Sequence, residues 1–428
     1  MKDDFRNAGA KTNDRAGEMN RRCDCGCGGS KVLSLDEARA RVAAVTVRTY
    51  GMERLPVGQA LGRVLSEPLC AVQAVPAFDN AAMDGYAVSL DALKGTGPWQ
   101  VRLTGRVPAG GRGARSNGGA VRIFTGAPIP EGTDAVIMQE EVHHAAGWIT
   151  IVRRPAPGEN VRRKGEEVEP GAEVLPAGLR MTPRALAAAV SVGHATVPVR
   201  KRLRVAVVTS GDELRPAGVV LSPGEITDVN GPLLAALMLR PDVHLVSHVC
   251  IEDTHAAHVA ALAEAAARAD LVITTGGLSV GGEDHMRAAI ADLGGEITIP
   301  GVAVKPGKPV SLGHFGTAHW LGLPGNPMAA FVTFTLLGLP LIDRLAGAAP
   351  APLQRLPLAA PVTHRPGRLE ARPARRDRSG SQLILGDAVH SARMTPLIAA
   401  DGLALIPAEV EALDEGDLVD FLPFPDGV

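Results

Sequence analysis

Aromatic residues make up only 3% of the 428-residue chain, and neither sign of charge dominates, with 44 Lys and Arg against 46 Asp and Glu. Scarce stacking platforms and a net charge of −2 argue against a broad nucleic-acid-binding surface, leaving room only for a local basic patch. No apolar stretch reads as a membrane span. The opening MKDDFRNAGAKTNDRAGEMNRR has none of the apolar core of a secretory signal, so a cytoplasmic location is expected. Cysteines number only five, and a secreted disulfide scaffold does not fit. Cys23, Cys25 and Cys27 alternate in RRCDCGCGGS, a spacing poor for structural zinc. That segment reads either as a flexible tail with no ligand or as a place for soft-metal or redox chemistry. Cys70 and Cys250 sit among apolar neighbours and read as packed thiols.

Familiar catalytic signatures are also missing. The chain has no GxxxxGK[ST] loop, GxGxxG fingerprint, HExxH pair or GxSxG elbow, so P-loop, dinucleotide, zincin and covalent hydrolase chemistry lack support. The twelve histidines, among them His143, His144, His244, His248, His255 and His258, are scattered and read as surface or packed residues.

Glycine and proline are abundant instead, at 49 and 33 residues, and they divide the chain. Ser34 and Glu37 form a capping pattern for a helix over 36–45, and a short helical segment is predicted over 58–64. From 86 to 170, short alternating runs between glycine turns predict a β insert. Thr182 and Pro183 open a further helix. Between 203 and 346, strands alternate with helices, which predicts a parallel sheet with helices on both faces and ligands at the strands' carboxyl ends. Asn230 is read there as a helix cap. The last 80 residues read as a small β domain.

Three polar, glycine-rich strand ends are expected on that sheet. They are 209–214, 274–284, and 305–309 with 323–327. Glycines let backbone N–H groups face an anion, and a following helix start favours negative charge. Lys305 and Lys308 suit a phosphate or oxyanion. Asp212, Glu213, Asp253 and Asp284 suit an oxygen-seeking Mg²⁺. The segment 76–87 reads either as a functional loop or as a capped turn in a domain seam. The basic run from Arg153 to Lys164 faces either an anionic ligand or solvent.

Eight motifs follow in order: PAFDNAAMDGYAV (76–88), VRIFTGAPIPEGTDAVIMQEE (121–141), NVRRKGEEVEPG (160–171), VVTSGDEL (207–214), ITDVNGPLL (226–234), TTGGLSVGGEDH (274–285), VAVKPGKPV (302–310) and LGLPGNPMAAFVTF (321–334). Over about residues 31–428 this set closely resembles the molybdopterin molybdenumtransferase family, molybdenum-insertion enzymes that include the E domain of gephyrin.

The resemblance implies Mg²⁺-dependent insertion of molybdate into adenylylated molybdopterin, with release of AMP. It implies a multidomain α/β plus β chain. A discontinuous, elongated N-terminal domain would span 31–86 and 169–200, and a β insert 87–168. The molybdopterin-binding α/β domain would span 201–346 and the C-terminal β domain 350–428, with 1–30 a tail outside them. It implies a homodimer whose active site is shared between subunits, contact with a molybdopterin adenylyltransferase and with molybdoenzyme maturation proteins, and neither nucleic-acid nor membrane partners.

By motif, Asp84 and Thr125 would face the partner subunit. Glu213, Asp253 and Asp284 would line the metal and pyrophosphate region, with Glu213 and Asp284 chiefly positioning Mg²⁺. Lys305 and Lys308 would bind anionic groups, and Pro324 and Pro327 would shape the molybdate pocket. Ser210, Gly211, Asp212, Gly276, Gly277, Ser279, Gly281, Gly325 and Arg122 complete the expected substrate contacts. At Ala81 the family usually carries Ser.

Overall fold

The computed structural model describes residues 32–46, 51–111, 115–277, 285–350, 353–386 and 393–424. The cysteine triplet, Ser279, Gly281 and Asp284 lie outside the described residues.

Helix α1, Leu35–Ala43, begins at the expected cap. Ser34 Oγ accepts from Glu37 N at 3.1 Å, and Glu37 returns a bond to Ser34 N at 2.7 Å. Replacing Ser34 by Ala should therefore lower stability by about 1 kcal/mol, read as a shift in the urea midpoint. The helix buries Leu35, Ala38 and Val42 in the core of the later α/β sheet. Between this helix and that sheet, Met52–Pro56 pairs antiparallel with Thr196–Arg200, and Leu69–Cys70 pairs with Glu173–Leu175. Helix α2, Pro183–Ser191, starts as expected at Thr182. The segment 58–64 is not a helix: only a 3₁₀ turn, Val57–Gln59, forms. Gly62, three residues on, adopts φ +72, a conformation glycine tolerates and a continuing helix excludes.

The insert is a six-stranded sheet in the order Ala135–Met138, Gly85–Val88, Ala120–Ile123, Trp99–Val107, Trp148–Ile151, Val142–Ala145. Gly85 is required where it stands, because a Cβ there would lie 1.9 Å from the Ile137 carbonyl oxygen.

The α/β sheet runs Val243–Ile251, Leu203–Ser210, Leu271–Thr275, Ala318–Leu323, Ser311–Phe315, Glu296–Ile299. The first four strands are parallel, but the last two are antiparallel extensions. The sheet is thus mixed rather than wholly parallel, because Gly316 and Thr317 make a tight hairpin that reverses the chain. Helices α3 (Asn230–Leu237), α6 (Pro327–Thr333) and α7 (Leu339–Ala346) cover one face together with α1. Helices α4 (His255–Arg268) and α5 (His285–Asp292) cover the other, packing on Ala206, Val208, Val272 and Trp320.

The helical run Pro327–Ala346 does reach the length and apolarity of a membrane span, with 78% of its most apolar window buried inside the protein. The surrounding α/β core, rather than lipid, accounts for that apolarity. Cys70 and Cys250 are exposed, not packed. Cys250 lies on the Val243–Ile251 strand at the sheet edge, where only one neighbouring strand covers it.

The C-terminal sheet takes the order Val304–Lys305, Leu369–Arg376, Gly402–Ile406, Leu418–Pro423, Gln354–Pro357. Its first strand corrects an expectation. Lys305 does not end a strand of the α/β sheet but pairs in parallel with Glu370 of the C-terminal sheet.

Candidate active site

The carboxyl ends of the central parallel strands converge on a polar, glycine-lined crevice. Leu203–Ser210 ends in a buried serine, and Leu271–Thr275 runs directly into Gly276 and Gly277. Gly276 has φ +93, and a Cβ there would lie 2.2 Å from the Ser210 carbonyl oxygen and 2.8 Å from its Oγ. Gly277 has φ +66, and its Cβ would meet His258 Nε2 at 3.0 Å and Ser210 Oγ at 3.4 Å. A Cβ on Gly325, at the end of the next strand, would lie 3.9 Å from Gly276 Cα. The three strand ends therefore lie close together through bare backbone, with no room for a side chain at Gly276.

Asn230 fixes this convergence. Its Nδ2 donates to Thr275 Oγ1 at 2.8 Å and to the Gly325 carbonyl at 2.7 Å, while Thr275 Oγ1 donates to the Pro324 carbonyl at 3.0 Å. Asn230 is thus no cap. Asp228 takes that role by accepting from Gly231 N at 2.9 Å, and Asn230 turns inward as the first helical residue. Pro324 and Gly325 lead into α6, whose first residue is Pro327.

The acidic residues gather beside Ser210. Asp212 Oδ1 accepts from Asp253 N at 3.0 Å, which ties two strand ends together. A Cβ on Gly211 would lie 2.7 Å from Glu213 Oε2, so the Glu213 carboxylate folds back over that glycine. Ser210 Oγ, Asp253 Oδ1 and His258 Nε2 are buried with no hydrogen-bond partner. Such atoms cost stability unless a ligand or water completes them. His258 is fully buried, and its Nδ1 donates to the Thr254 carbonyl at 2.7 Å, leaving Nε2 3.7 Å from Asp253 Oδ1. Among the described residues no group of three His, Cys, Asp or Glu side chains forms a ready metal cage. The oxygens of Ser210, Glu213 and Asp253 nonetheless suit a hard cation such as Mg²⁺.

Lys305 closes the Val304–Lys305 strand of the C-terminal sheet, its Nζ 3.6 Å from Glu370 Oε2, and Lys308 lies in the loop that follows. A Cβ on Gly307 would lie 2.1 Å from Thr333 Cγ2, so the loop is packed tightly against α6. The Lys308 carbonyl accepts from Val302 N at 3.0 Å and closes the turn.

Asp84, Thr125 and Arg122 belong to the insert. Asp84 Oδ1 accepts from Thr125 N at 2.8 Å and from Thr125 Oγ1 at 2.7 Å. The backbone N–H first, then the hydroxyl, hold the Asp84 carboxyl below its ordinary range. Arg122 stacks on Tyr86 and Phe124 at 4.9 and 5.0 Å and donates to the Gly85 carbonyl and Gln139. Ala81 is fully buried, so a serine there would need an internal partner. The basic run is engaged locally: Arg153 pairs with Glu141 and Glu159, and Arg163 with Asp79. Asp79 also accepts from Lys164 N at 2.8 Å, a contact across 85 positions rather than a cap within 76–87, and Phe78 and Met83 are exposed rather than packed in a seam.

Two residues of this crevice, Asn230 and His258, escape the sequence reading. The signal for His258 was its place in the helical stripe His258, Leu262, Ala265, a position that demands burial.

Comparison with known proteins bears on most of the chain. Family models match at residues 33–193 (MoeA N-terminal region, domain I and II), 206–344 (probable molybdopterin binding domain) and 355–424 (MoeA C-terminal region, domain IV). A molybdopterin molybdenumtransferase of Haemophilus influenzae is 39% identical over 319 residues, 74% of this chain and 78% of the relative. Molybdopterin molybdenumtransferase 2 of Mycobacterium tuberculosis is 33% identical, covering 88% of this chain and 96% of its own length. The crystal structure of a molybdopterin biosynthesis moeA protein from Pyrococcus horikoshii superposes with a TM-score of 0.76 at 30% identity, over 92% of this chain and 100% of that one.

Proposed function

We propose, on the premise that the chain belongs to the molybdopterin molybdenumtransferase family, that it inserts molybdate into adenylylated molybdopterin and releases AMP, with Mg²⁺ required. The observation that carries this reading is the set of orphaned oxygens, Ser210 Oγ and Asp253 Oδ1, beside a glycine turn that excludes side chains. A pyrophosphate-bearing ligand supplies what that arrangement lacks: negative charge for nearby N–H groups and a partner for a cation held by carboxylates.

In this reading, the backbone around Gly276 and Gly277 approaches the phosphates, and Lys305 and Lys308 neutralise them as point charges. Glu213 and Asp253, with Asp284 beyond the described residues, would hold Mg²⁺, which would supply charge neutralisation on the pyrophosphate. Pro324 and Pro327 bound the molybdate pocket. Fixing both substrates in one crevice removes most of the entropic barrier to transfer. The chain acts as a homodimer, and the locked Asp84–Thr125 pair of each subunit completes the site of the other. Its work is cytoplasmic.

Incubating purified protein with adenylylated molybdopterin, molybdate and Mg²⁺ tests the reading. AMP release with cofactor formation supports it. ATP consumption in place of AMP release would identify the preceding adenylylation step, and neither reaction would leave a molybdopterin-binding scaffold. In the same assay, Glu213→Gln should raise the Mg²⁺ concentration for half-maximal AMP release by about tenfold or more. An unchanged Mg²⁺ dependence with lost turnover would remove Glu213 from the metal.

A further inference from the structure

A buried charge cluster in the C-terminal sheet lies outside the chemistry described so far. Glu370 is 1% exposed. Its Oε2 accepts from His364 Nδ1 at 2.9 Å, and Arg372 Nη2 lies 3.2 Å from Oε1. Lys305 Nζ lies 3.6 Å from Oε2. Burial alone would push the Glu370 carboxyl up, but His364, Arg372 and Lys305 together outweigh it and hold it below its ordinary value. The cluster is therefore a charged hub, not a protonated acid.

Only one of the three partners faces outward. The His364 and Arg372 side chains are 1% and 8% exposed, whereas that of Lys305 is 35% exposed. An ammonium has three donors. One directed at Glu370 leaves the others free for a second anion. Lys305 is also held from both sides along its backbone. Its strand pairs in register with Glu370, and two residues later Gly307 is wedged against Thr333 of α6. Without a fixed partner, a lysine's four-carbon stem samples many rotamers, and ordering it on binding weakens affinity.

We propose that Glu370 is a positioning residue that holds the Lys305 ammonium in one orientation for the anionic ligand, so that the C-terminal sheet helps to set affinity at the α/β site. This rests on the reading of Lys305 as a ligand-binding group. Glu370→Gln keeps the shape and removes the charge. In the full-length protein it should weaken binding of adenylylated molybdopterin about three- to tenfold, raising KM while kcat for AMP release stays near its original value. Glu370→Asp, which withdraws the carboxylate by one methylene, should give a smaller loss and serves as the test if the Gln variant folds poorly.

His364→Asn removes a different buried partner and keeps the Glu370 charge beside Lys305, so it should lower the melting temperature and change affinity less than Glu370→Gln does. In a Lys305→Ala background, Glu370→Gln should have no further effect on binding. Unchanged or tighter binding by Glu370→Gln, additivity with Lys305→Ala, or an equal affinity loss in His364→Asn would overturn the proposal. Unchanged affinity in Lys305→Ala alone would overturn the underlying assignment of Lys305 to the ligand, and the proposal with it.

Discussion

Replacing Gly276 by alanine is expected to cut AMP release at least about 100-fold while the protein remains folded. Two separate effects combine at this position. The backbone sits at φ +93, where an L-residue carries about 1–2 kcal/mol of strain. The new methyl would also lie 2.2 Å from the Ser210 carbonyl oxygen, a backbone atom that can yield only by moving its strand. Ser210 and Gly276 both border the crevice, so any relief displaces the surface that receives the phosphates. Gly294→Ala separates the two effects. That glycine has φ +69 but nothing within 4 Å of its Cβ position, so it carries the strain without the collision. It should lose about 1 kcal/mol of stability and keep full activity. Circular dichroism and the AMP-release assay, run on both variants, read the comparison. Near-normal turnover in Gly276→Ala would mean that the glycine turn does not shape the ligand site.

Local rules read well from this sequence, and long-range pairing did not. The Ser34–Glu37 box and the Thr182–Pro183 helix start depend on neighbours three residues apart, and both formed as expected. The parallel strands over 203–210, 243–251 and 271–275 carry their own apolar periodicity and were equally legible. The hairpin strand Ser311–Phe315 was hidden because glycine interrupts its apolar run. The sequence places Lys305 on the wrong sheet because its strand is two residues long and its partner, Glu370, lies 65 positions later. A strand that short has no period to read.

The crevice itself divides in the same way. Ser210, Gly276, Gly277, Asp212 and Gly325 were marked by glycine and hydroxyl residues after strands, and the structure brings them together. Asn230 reads as a cap in the sequence because Asn is favoured at that position. Its actual role, joining Thr275 to Gly325, depends on two strands that the local sequence does not mention.

The second large effect concerns stability. Asp242→Asn should destabilise the protein by about 3–5 kcal/mol, the range for a buried ion pair that loses one partner. Asp242 is 3% exposed and lies between two arginines. Arg180 Nη1 approaches Oδ2 at 2.8 Å, and Arg240 Nη2 approaches it at 3.1 Å. Both arginines also reach Asp343 on α7, Arg180 at 2.8 Å and Arg240 at 2.5 Å. Arg180 precedes α2, whereas Asp242 leads into the first strand of the α/β sheet, so this hub fastens two separate parts of the chain. Removing the Asp242 charge leaves two arginines sharing one carboxylate in a desolvated seam.

The hub also sets an acid limit. Burial alone would raise the Asp242 pKa, but Arg240 and Arg180 hold it below the ordinary value. A depressed folded-state pKa contributes stability that is fully present above the unfolded value, about 3.9, and fades as pH falls through the folded value. Urea unfolding from pH 7 to pH 3 should therefore show a steeper acid loss in the parent protein than in Asp242→Asn below about pH 4, so that the gap between the two curves narrows at the acid end. Parallel curves across that range would mean that Asp242 titrates alike in the folded and unfolded chains, and the hub would then contribute nothing through its charge.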